Sequence, residues 1–398
     1  MYNLTDRSIV IGVSGSIAAY KAVDLASKLT QAGARVDVIM TPDAARFVAP
    51  LSFAGVTGRP VYTDMFDVAT GLAEKHVELG RQAEAYVIAP ATAATIARLA
   101  SGLAEDLVSL TALSTQAPVI VCPAMDSQMY EHIATQTNLQ TLESRGVLVV
   151  GPESGRLASG HMGAGRLSET AWIVGAVRYA IGRRLGDFVG KRLVVTAGGT
   201  QEPIDPVRYI GNHSSGKMGY ALAEAGRDRG AQVTLVSAAP SERPYGVEVV
   251  PVRRAQEMRD AVVSACRDAD ALIMAAAVAD YRPEDTAPDK IKRNQPELDL
   301  SLVKTPDILA ELAGEQRLVK VGFAAESRDL VENASQKLKA KGVHLIVAND
   351  VTKEGSGFGT ETNEVVLLDI EGGREDLPLM SKYEVSQRIL DRVRRWLD

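Results

Sequence analysis

The sequence predicts an α/β protein made of two doubly wound, Rossmann-like domains, each with a mainly parallel sheet covered by helices on both faces. Continuous apolar runs typical of buried parallel strands alternate with helical patterns along the whole chain. The same plan occurs twice, because GARVDVIMT (33–41) follows the first helical segment and GAQVTLVSA (230–238) follows the corresponding segment of the second half. The chain of 398 residues is too long for one ordinary core and suits two.

The composition fits a globular protein and argues against several functional classes. Apolar residues make up 46% and charged residues 24% of the chain, as in ordinary globular domains. A net charge of −6 argues against nucleic acid as the main partner. No apolar run reaches bilayer length and no signal-peptide pattern is present, so we expect no membrane segment and a cytoplasmic location. Cys122 and Cys266 stand far apart in apolar contexts, which suggests a reducing compartment.

The first half begins with a strand at 8–13, a turn within GVSGSIAAYKA (12–22) and a helix that ends near residue 32. After the second strand, three more strands are predicted, with the sequences YVIAPAT (86–92), PVIVCPAM (118–125) and VLVV (147–150). A helix from about residue 168 to residue 185 closes this half.

The second half repeats this order. A strand at 193–197 leads into a Gly-rich loop, 198–219, and a helix that ends near residue 229. The next predicted strands have the sequences ALIMAAAVAD (271–280), LVKVGFAAE (318–326) and VHLIVAND (343–350). A strand pair near EVVLLDI (364–370) and a last helix from Lys382 complete the half.

The boundary between the halves is predicted near residues 186–190, which gives domains of 1–188 and 189–398. In doubly wound sheets, ligands bind outside the carboxyl ends of the strands. The loops that follow the strands are therefore the places where functional residues are expected.

The loop at 198–219, GGTQEPIDPVRYIGNHSSGKMG, carries the strongest functional signal. A strand that leads into a polar, Gly-rich loop and then a helix is typical of a phosphate site, because backbone N–H groups and the positive helix end face the anion. Gly211, Gly216 and Lys217 have P-loop spacing, but Met218 stands where a P-loop needs a Ser or Thr hydroxyl for magnesium. We therefore predict a nucleotide-phosphate loop of another kind. The alternative is a long surface connection, although such loops in compact domains are usually functional.

Several long motifs occur in an order that identifies a family. They are GVSGSIAAYKA (12–22), APATAATIARLASGLAEDL (89–107), PAMDSQMY (123–130), LASGHMGAGRL (157–167), the 198–219 loop, AAAVADYRP (275–283), KIKR (290–293), GFAAES (322–327) and AND (348–350). With these motifs the chain resembles, along nearly its whole length, the CTP-using bacterial bifunctional coenzyme A biosynthesis proteins. That family joins phosphopantothenoylcysteine decarboxylase to phosphopantothenate–cysteine ligase. The first half resembles the homo-oligomeric flavin-containing cysteine decarboxylases, which implies a flavodoxin-like fold there.

The resemblance implies that FMN binds to the first half. The positions that match the family's flavin site are Ser14, Gly15 and Ser16 for the phosphate and Thr41, Phe53 and Ser109 for the pocket. Taken alone, GVSGS could equally be a tight strand–helix turn. The family's chemistry asks for a flavin, because loss of CO2 from a cysteine carboxylate leaves a carbanion that needs an electron sink.

Three further residues match the family's decarboxylase site. His76 matches an essential histidine that acts in the oxidation step, and imidazole is suited to accept a proton near neutral pH. Asp126 stands where the family has an Asn that holds the substrate carboxylate, and a charged Asp would repel that group unless it is protonated or redirected. Ser159 lies in a Gly-rich loop that suits a mobile lid, where many members have a Cys proton donor, and a hydroxyl is a weaker acid than a thiol.

The second half carries the residues expected of the ligase. Asn212 matches the residue that stabilises an acyl-cytidylate made from CTP and phosphopantothenate, and Lys290 matches a flap lysine that acts when cysteine attacks. The alternative for Lys290 and Lys292 is a solvated run of charged residues. Asp280, at a strand end, is placed to meet magnesium or the ribose, and a helix N-cap is the alternative. The other positions implied to contact the nucleotide are Ser214, Ser215, Gly216, Lys217, Met274, Ala275, Ala276, Pro306, Asp307, Ile308, Leu309, Phe323, Lys337 and Lys341.

The predicted function is the synthesis of 4'-phosphopantetheine from 4'-phosphopantothenate, L-cysteine and CTP, through 4'-phosphopantothenoylcysteine, with FMN and Mg²⁺. The resemblance also implies a homo-oligomer, with a trimeric decarboxylase half, a dimeric ligase half and a dodecamer as a further assembly. Two alternatives stay open: a ligase whose flavoprotein half binds FMN with weak or no decarboxylase activity, and a regulatory flavoprotein. An NAD dehydrogenase is disfavoured, because the first loop lacks a third Gly and VDVIMT (36–41) ends without an acid.

Overall fold

The chain divides into two compact units, Met1–Ile181 and Gly182–Asp398, each built on its own large sheet. The computed structural model describes residues 4–65, 75–292, 298–326, 330–350, 357 and 359–397. Arg293 and Ser327, which end two of the family motifs, lie outside the described residues.

The first unit alternates strands and helices from β1 onward. Its elements, up to the helix that leads into the second unit, are β1 (Ser8–Val13), α1 (Ala19–Gln31), β2 (Arg35–Met40), α2 (Ala44–Phe47), α3 (Pro50–Thr57), β3 (Val61–Tyr62), α4 (Lys75–Gln82), β4 (Ala85–Ala91), α5 (Ala93–Ser101), α6 (Leu107–Ser114), β5 (Val119–Pro123), α7 (Ser127–Glu131), α8 (Ile133–Ser144), β6 (Leu148–Val149), β7 (Glu153–Arg156), β8 (Met162–Arg166) and α9 (Thr170–Leu185).

The first sheet is parallel throughout and has the order β3-β2-β1-β4-β5-β6. Without the two-residue edge strand β3, the remaining order is that of flavodoxin. All seven residues of β4 are buried, as expected for a central strand covered on both faces. The predicted doubly wound, flavodoxin-like fold is therefore confirmed. The β7–β8 pair forms a separate antiparallel hairpin that the sequence did not predict.

The second unit follows the same alternation and adds short hairpins. Its elements are β9 (Arg192–Ala197), β10 (Gln201–Pro203), β11 (Tyr209–Gly211), α10 (Lys217–Asp228), β12 (Gln232–Ser237), β13 (Glu248–Pro251), α11 (Ala255–Cys266), β14 (Ala271–Met274), β15 (Tyr281–Pro283), β16 (Leu302–Lys304), α12 (Ile308–Glu311), β17 (Val319–Glu326), α13 (Leu330–Lys341), β18 (Leu345–Asp350), β19 (Thr362–Asp369), β20 (Arg374–Ser381) and α14 (Lys382–Arg394).

The second sheet has the order β13-β12-β9-β14-β17-β18-β19-β20. The first six of these strands are parallel, and β19 and β20 extend the sheet antiparallel, so the predicted final strand pair is present. The last helix begins at Lys382 as predicted, because Ser381 and Glu384 form a reciprocal capping box there.

The strand order reverses its direction between β1 and β4 in the first sheet and between β9 and β14 in the second. At such a point the loops after the two neighbouring strands diverge and leave a crevice at the carboxyl edge of the sheet. The predicted FMN turn follows β1, and the predicted phosphate loop follows β9. Each unit thus has one crevice where its predicted ligand loop begins.

Candidate active sites

The turn between β1 and α1 is held tightly against its neighbours. The Ser14 hydroxyl donates to the Pro90 carbonyl oxygen at 2.7 Å and accepts from the Thr92 N–H at 3.0 Å, which joins the ends of β1 and β4. A Cβ on Gly15 would lie 2.5 Å from the Asp43 Cβ, so only glycine allows this approach. Ser16 alone of the three predicted phosphate residues faces the cavity described next.

The three residues predicted to line the flavin pocket are buried within the unit. Thr41 accepts a hydrogen bond from the Ala44 N–H at 3.2 Å, and Phe53 lies on α3 with its side chain inaccessible to solvent. Ser109 closes a capping box with Asp106 at the start of α6. The Ser109 and Thr41 hydroxyls thus already serve the protein's own backbone and helix ends.

A cavity of about 540 Å³ opens between the first turn of α1, the loop after β5 and the covering hairpin, which consists of β7, β8 and the turn between them (153–166). Its lining residues are Ser16, Ile17, Ala18, Tyr20, Lys21, Ala124, Met125, Asp126, Arg156, Leu157, Ala158, Ser159, Gly165, Arg166 and Leu167. The hairpin is fixed to the floor of the cavity because the Met125 N–H donates to the Gly165 carbonyl oxygen at 3.0 Å. This volume suits a small organic ligand.

The two residues that depart from the family pattern contact each other in this cavity. The Ser159 hydroxyl donates to Asp126 Oδ2 at 2.7 Å, and the Gln128 N–H donates to Asp126 Oδ1 at 3.1 Å. The hydrogen bond from Ser159, followed by that from Gln128, holds the pKa of Asp126 below its usual range. Asp126 is therefore ionised and directed toward Ser159 and the N-terminus of α7.

His76 lies apart from this pair. It is the second residue of α4, and its carbonyl oxygen accepts from the Ser114 hydroxyl at 2.9 Å. It is not among the residues that line the 540 Å³ cavity. The described part of one chain therefore does not bring His76 together with Asp126 and Ser159.

In the second unit, the phosphate loop packs against the segment after β14. The Ala277 N–H donates to the Gly198 carbonyl oxygen at 2.8 Å, and Asn212 Nδ2 donates to the Val278 carbonyl oxygen at 3.1 Å. Gly216 caps α10 with φ of +79°, a left-handed conformation that glycine adopts without strain. Ser214 and Ser215 lie between Asn212 and this cap, so the loop leads its polar residues to the helix N-terminus.

The predicted residues at the end of β14 and directly after it lie beside the end of β9. The Thr196 hydroxyl accepts from the Ala276 N–H at 3.0 Å and contacts Met274 Sδ at 3.7 Å, so Met274, Ala275 and Ala276 lie beside the end of β9. Asp280 is exposed, and its carbonyl oxygen accepts from the Thr305 N–H at 3.0 Å. Within the described ranges, no group of three or more His, Cys, Asp or Glu side chains is arranged to hold a metal ion.

Lys217, at the start of α10, already has anionic and carbonyl partners. Its ammonium donates to Glu361 Oε1 at 2.5 Å and to the Gly359 carbonyl oxygen at 2.7 Å. The hydrogen bond from Lys217 lowers the pKa of Glu361. Lys217, which is expected to contact nucleotide phosphates, is thus already bound to two residues of the loop before β19.

The residues predicted to contact cytidine are partly structural. Ile308 is buried in the core, while Leu309 and Phe323 are partly buried against it. Asp307 caps α12 and accepts a hydrogen bond from Lys341 on α13. Partial burial acts to raise the pKa of Asp307, but the hydrogen bond and charge of Lys341 and backbone N–H donors together lower it. The last two residues predicted to contact the nucleotide are neighbours of this ion pair. Pro306 directly precedes Asp307, and Lys337 lies one helical turn before Lys341 on α13.

The sequence did not predict a clamp, formed by Asp205 and Arg208, that holds the loop carrying Lys290 and Lys292. Asp205, whose side chain is fully buried, accepts from Arg208 Nε at 2.9 Å and from the Ile291 N–H at 3.2 Å. Arg208 Nη2 in turn donates to the Ile291 carbonyl oxygen at 2.9 Å. The guanidinium of Arg208 holds the pKa of Asp205 well below its usual range. Ile291 stands between Lys290 and Lys292, so the pair fixes the backbone that carries both lysines.

Comparison with known proteins identifies relatives for both units. A family model described as Flavoprotein matches residues 1–182, and one described as DNA/pantothenate metabolism flavoprotein C-terminal domain matches residues 188–397. The chain is 44% identical over 399 residues to the coenzyme A biosynthesis bifunctional protein CoaBC of Vibrio vulnificus strain YJ016, with 99% of this chain and 98% of that protein covered. It is 45% identical over 397 residues to the protein of the same name from Escherichia coli K12, with 98% and 97% covered.

Two solved structures are also similar to parts of this chain. The C-terminal domain of a coenzyme A biosynthesis bifunctional protein CoaBC covers 53% of this chain and 98% of its own length, at 38% identity and a TM-score of 0.47. A mutant PPC decarboxylase complexed with pantothenoylaminoethenethiol covers 44% of this chain and 97% of its own, at 29% identity and a TM-score of 0.40. Across the described residues, no helix has both the length and the apolar character that crossing a bilayer requires.

Proposed function

The chain belongs to the family of bifunctional coenzyme A biosynthesis proteins and is an enzyme with a decarboxylase unit and a ligase unit. From this premise we propose that the second unit ligates cysteine to 4'-phosphopantothenate with CTP and that the first unit, with FMN, decarboxylates 4'-phosphopantothenoylcysteine to 4'-phosphopantetheine. The observation that carries the proposal is the contact of Ser159 with Asp126 inside a ligand-sized cavity, because it joins two segments that the family motifs mark as reactive.

The first unit fits FMN at the β1–α1 turn. The first turn of α1 faces the cavity, with Ser16 and Lys21 among its lining residues, and a helix N-terminus attracts a phosphate group. FMN would supply a reversible acceptor for two electrons from the thiol end of the substrate, and the oxidised substrate would in turn accept the electron pair that is left when CO2 departs. The predicted residues Thr41, Phe53 and Ser109 are buried, and the Thr41 and Ser109 hydroxyls bond the starts of α2 and α6.

His76, Asp126 and Ser159 handle protons and charge in this proposal. His76 accepts a proton from the substrate as its cysteine end is oxidised. Asp126 does not oppose the substrate carboxylate directly, since Ser159 and the Gln128 N–H engage its two oxygens. Ser159 gives a proton to the enethiolate intermediate in this proposal, for which its hydroxyl turns from Asp126 Oδ2 to the substrate.

The second unit performs ligation in two steps. The substrate carboxylate attacks the α-phosphorus of CTP and releases pyrophosphate, and the cysteine amine then attacks the acyl carbon and releases CMP. Asn212 and the loop that ends at Gly216 hold the phosphates, and Lys217 exchanges Glu361 for the nucleotide. Lys290, beside the clamped Ile291, neutralises charge during cysteine attack.

Magnesium and assembly complete the proposal. Asp280 would hold, together with the CTP phosphates, a Mg²⁺ ion that neutralises their charge, since nucleotide-bound Mg²⁺ usually needs only one or two protein carboxylates. The first units associate as trimers and the second units as dimers, with a dodecamer as the full assembly. The separation of His76 from the 540 Å³ cavity supports a decarboxylase site completed by a second copy of the chain.

The test uses one preparation of the full-length protein. A flavin absorption spectrum, pyrophosphate release that depends on CTP and phosphopantothenate, and CO2 release from phosphopantothenoylcysteine are all expected. A yellow protein that ligates but releases no CO2 would establish the alternative of a decarboxylase half that only binds FMN. A colourless protein that takes up no added FMN would refute the flavin assignment.

A further inference from the structure

One lysine is buried in the middle of the second sheet, at a position where an apolar side chain is expected. Lys320 is the second residue of β17, which pairs in parallel with β14 on one side and with β18 on the other. Its exposed fraction is 2%. Such strands are normally apolar throughout, and a lysine is almost never fully buried unless its charge has partners. The ligation chemistry proposed above does not use Lys320, so its contacts indicate its role.

The partners of Lys320 are backbone carbonyl groups at the end of α12. Its Nζ donates to the carbonyl oxygens of Leu312 and Ala313, each at 3.0 Å, and of Glu315 at 3.2 Å. Three acceptors match the three N–H donors of an ammonium group. The last carbonyl groups of a helix have no partner within it and carry partial negative charge, so a buried cation stabilises this end. Lys320 therefore fastens the C-terminal end of α12 to a central strand.

The same helix carries residues predicted to contact cytidine. Asp307 caps α12, and Ile308 and Leu309 begin it. The helix lies over β17, because a Cβ on Gly322 would lie 3.5 Å from Leu309 Cδ1, and Gly322 faces the same side of the strand as Lys320. With only four residues, α12 is too short to be stable alone and depends on its neighbours. The contact that holds its C-terminal end therefore also determines where residues 307–309 lie.

Two further polar contacts hold α12, and both are nearer to solvent. Asp307 pairs with Lys341, and both side chains are more than a third exposed. Glu311 pairs with Arg259, and these side chains are about a third exposed. Exposed ion pairs contribute little to stability. In the proposed ligation Lys341 contacts the nucleotide, so part of its hold on Asp307 is lost when CTP binds. The contact of Lys320 is the buried one and stays unchanged.

We propose that Lys320 is a positioning residue for recognition of the nucleotide base: it holds α12 on β17 and so keeps residues 307–309 in place while Lys341 turns to the nucleotide. The proposal rests on the CTP-dependent ligation proposed above. It separates the two ends of CTP, because the proposed phosphate contacts come from the loop at 198–219, which follows a different strand, β9. Loss of the Lys320 ammonium should weaken binding of the base and leave binding of the phosphates unchanged.

The experiment removes the ammonium group and probes the two ends of the nucleotide separately. Lys320→Met keeps a long side chain without donors, and Lys320→Gln keeps two N–H donors on a shorter one. The full-length proteins are assayed for CMP formed from labelled CTP in the presence of 4'-phosphopantothenate and cysteine. Inhibition by cytidine measures binding at the base end, and inhibition by magnesium pyrophosphate measures binding at the phosphate end.

Two variants provide matched controls. Lys339→Met removes an exposed lysine of α13, so it controls for the change in charge. Val247→Ala shortens a fully buried side chain next to the edge strand β13, from which β12, β9 and β14 separate β17. It controls for a loss of stability that does not act through α12. The unfolding temperature is measured for every variant.

For Lys320→Met we expect the KM for CTP and the Ki for cytidine to rise about tenfold, the effect of losing hydrogen bonds from a charged group. The Ki for pyrophosphate and kcat should change by less than about twofold, as for independent sites. Lys320→Gln should raise the same two constants by a smaller factor, and it provides the test if Lys320→Met does not fold. Both controls should keep the wild-type constants, although Val247→Ala lowers the unfolding temperature.

Four results would overturn the proposal. An equal rise in the Ki for cytidine and for pyrophosphate would mean that Lys320 supports the whole unit and not the base end. The same rise in Val247→Ala would attribute the effect to lost stability. Unchanged constants in both Lys320 variants would mean that α12 keeps its position without the lysine, and failure of both to fold would make its role structural only. A wild-type protein that forms no CMP from CTP would instead refute the proposed ligation, so the two failures are distinguishable.

Discussion

The two units share one architecture but orient their reactive side chains in different ways. In the first unit, Ser159 and Asp126 orient each other directly across 2.7 Å. In the second unit, Lys217 is paired with Glu361, and Lys290 depends on a neighbour, Ile291, that is held by Asp205 and Arg208. The first site is therefore a compact pair between the covering hairpin and the loop after β5, whereas the second is a set of cations placed by partners outside the reaction.

This difference follows from what each site must bind. Decarboxylation moves protons and one electron pair within a small molecule, and a short hydrogen-bonded pair can control that. Ligation must hold a highly charged triphosphate and then release it, so its lysines need partners that an incoming anion can replace. The following substitutions test whether the two sites are independent and whether each depends on the contacts named.

The largest effect is expected for His76→Asn, which tests the independence of the two sites. Decarboxylation should fall by about 10²- to 10⁴-fold, the usual contribution of a general acid or base. Ligation should be unchanged, because the ligase residues belong to a separate sheet. CO2 and pyrophosphate release from one preparation measure the two activities. His132→Asn is the control, since it replaces one N-cap residue of α8 with another. Equal loss of both activities would contradict independence.

Asn212→Asp and Lys290→Gln should separate the two ligase steps. Asn212→Asp places a negative charge against the phosphates, so acyl-cytidylate formation should fall by about 10²- to 10³-fold. Lys290→Gln should still release pyrophosphate and accumulate acyl-cytidylate, with little amide formed. Rapid-quench analysis with labelled CTP distinguishes these outcomes. If neither variant forms the cytidylate, Lys290 binds CTP phosphates instead and the order of roles is wrong.

Asp205→Asn should weaken the clamp and resemble Lys290→Gln in a milder form. Loss of the charged hydrogen bonds to Arg208 should slow amide formation by about tenfold, whereas pyrophosphate release without cysteine should stay near wild type. Asp289→Asn, an exposed change next to Lys290 in the loop that Asp205 holds, is the control. If both half-reactions fall equally together with the unfolding temperature, the role of Asp205 is structural only.

The same residue gives a pH expectation. The pKa of Asp205 is lowered in the folded protein, so its stabilising contribution is present above the ordinary carboxyl pKa and is lost only as pH falls below that range. The rate of amide formation, plotted against pH, should therefore show no change caused by titration of Asp205 between about pH 5 and pH 9. An acid limb in this range that disappears in Asp205→Asn would contradict the lowered pKa.

Ser159 variants test the compact pair of the first unit. Ser159→Cys should preserve or raise the decarboxylation rate, because a thiol is the better acid. Ser159→Ala should slow the reductive step, so that an oxidised substrate intermediate accumulates with reduced flavin, visible as bleaching; the rate should fall by about tenfold, less than for a typical general acid because a hydroxyl is a weak one. It should also raise the pKa of Asp126 toward its usual value, since the largest cause of the lowering is removed. If Ala behaves like Ser, water or another group donates the proton.

The smallest effect is expected for Glu361→Gln. Removing this partly competing carboxylate should lower the KM for CTP by about two- to fivefold, the range for an exposed ion pair, and leave kcat unchanged. Glu242→Gln, another exposed carboxylate, is the control. A higher KM in Glu361→Gln would mean that Glu361 positions Lys217 for the nucleotide and does not compete with it.

Much of the fold could be predicted because its signals are local. Apolar strands, glycine turns and the capping residues of α14 each lie within one short stretch of sequence. The hairpins β7–β8, β10–β11 and β15–β16 were not predicted, because their strands have three to five residues and follow no apolar alternation. Their pairing depends on packing that the local pattern does not record.

The candidate sites divide in the same way. Resemblance to the family identified Asp126 and Ser159 one at a time, but their contact joins residues 33 positions apart and could not be read from either motif. The Asp205–Ile291 contact spans 86 positions. A buried Asp in a polar loop, IDPVR (204–208), was the only available hint, and burial is a property of the fold.

The ion pair of Lys217 with Glu361 also bears on how the ligase responds to ionic strength. A nucleotide that meets an unpaired lysine creates an attraction that added salt screens. Here one screened pair is replaced by another, so much of the salt effect cancels between the free and bound states. CTP affinity should therefore decline less steeply with added salt than the number of lysines around the crevice suggests, and ligation should keep its rate as cellular ion concentrations vary.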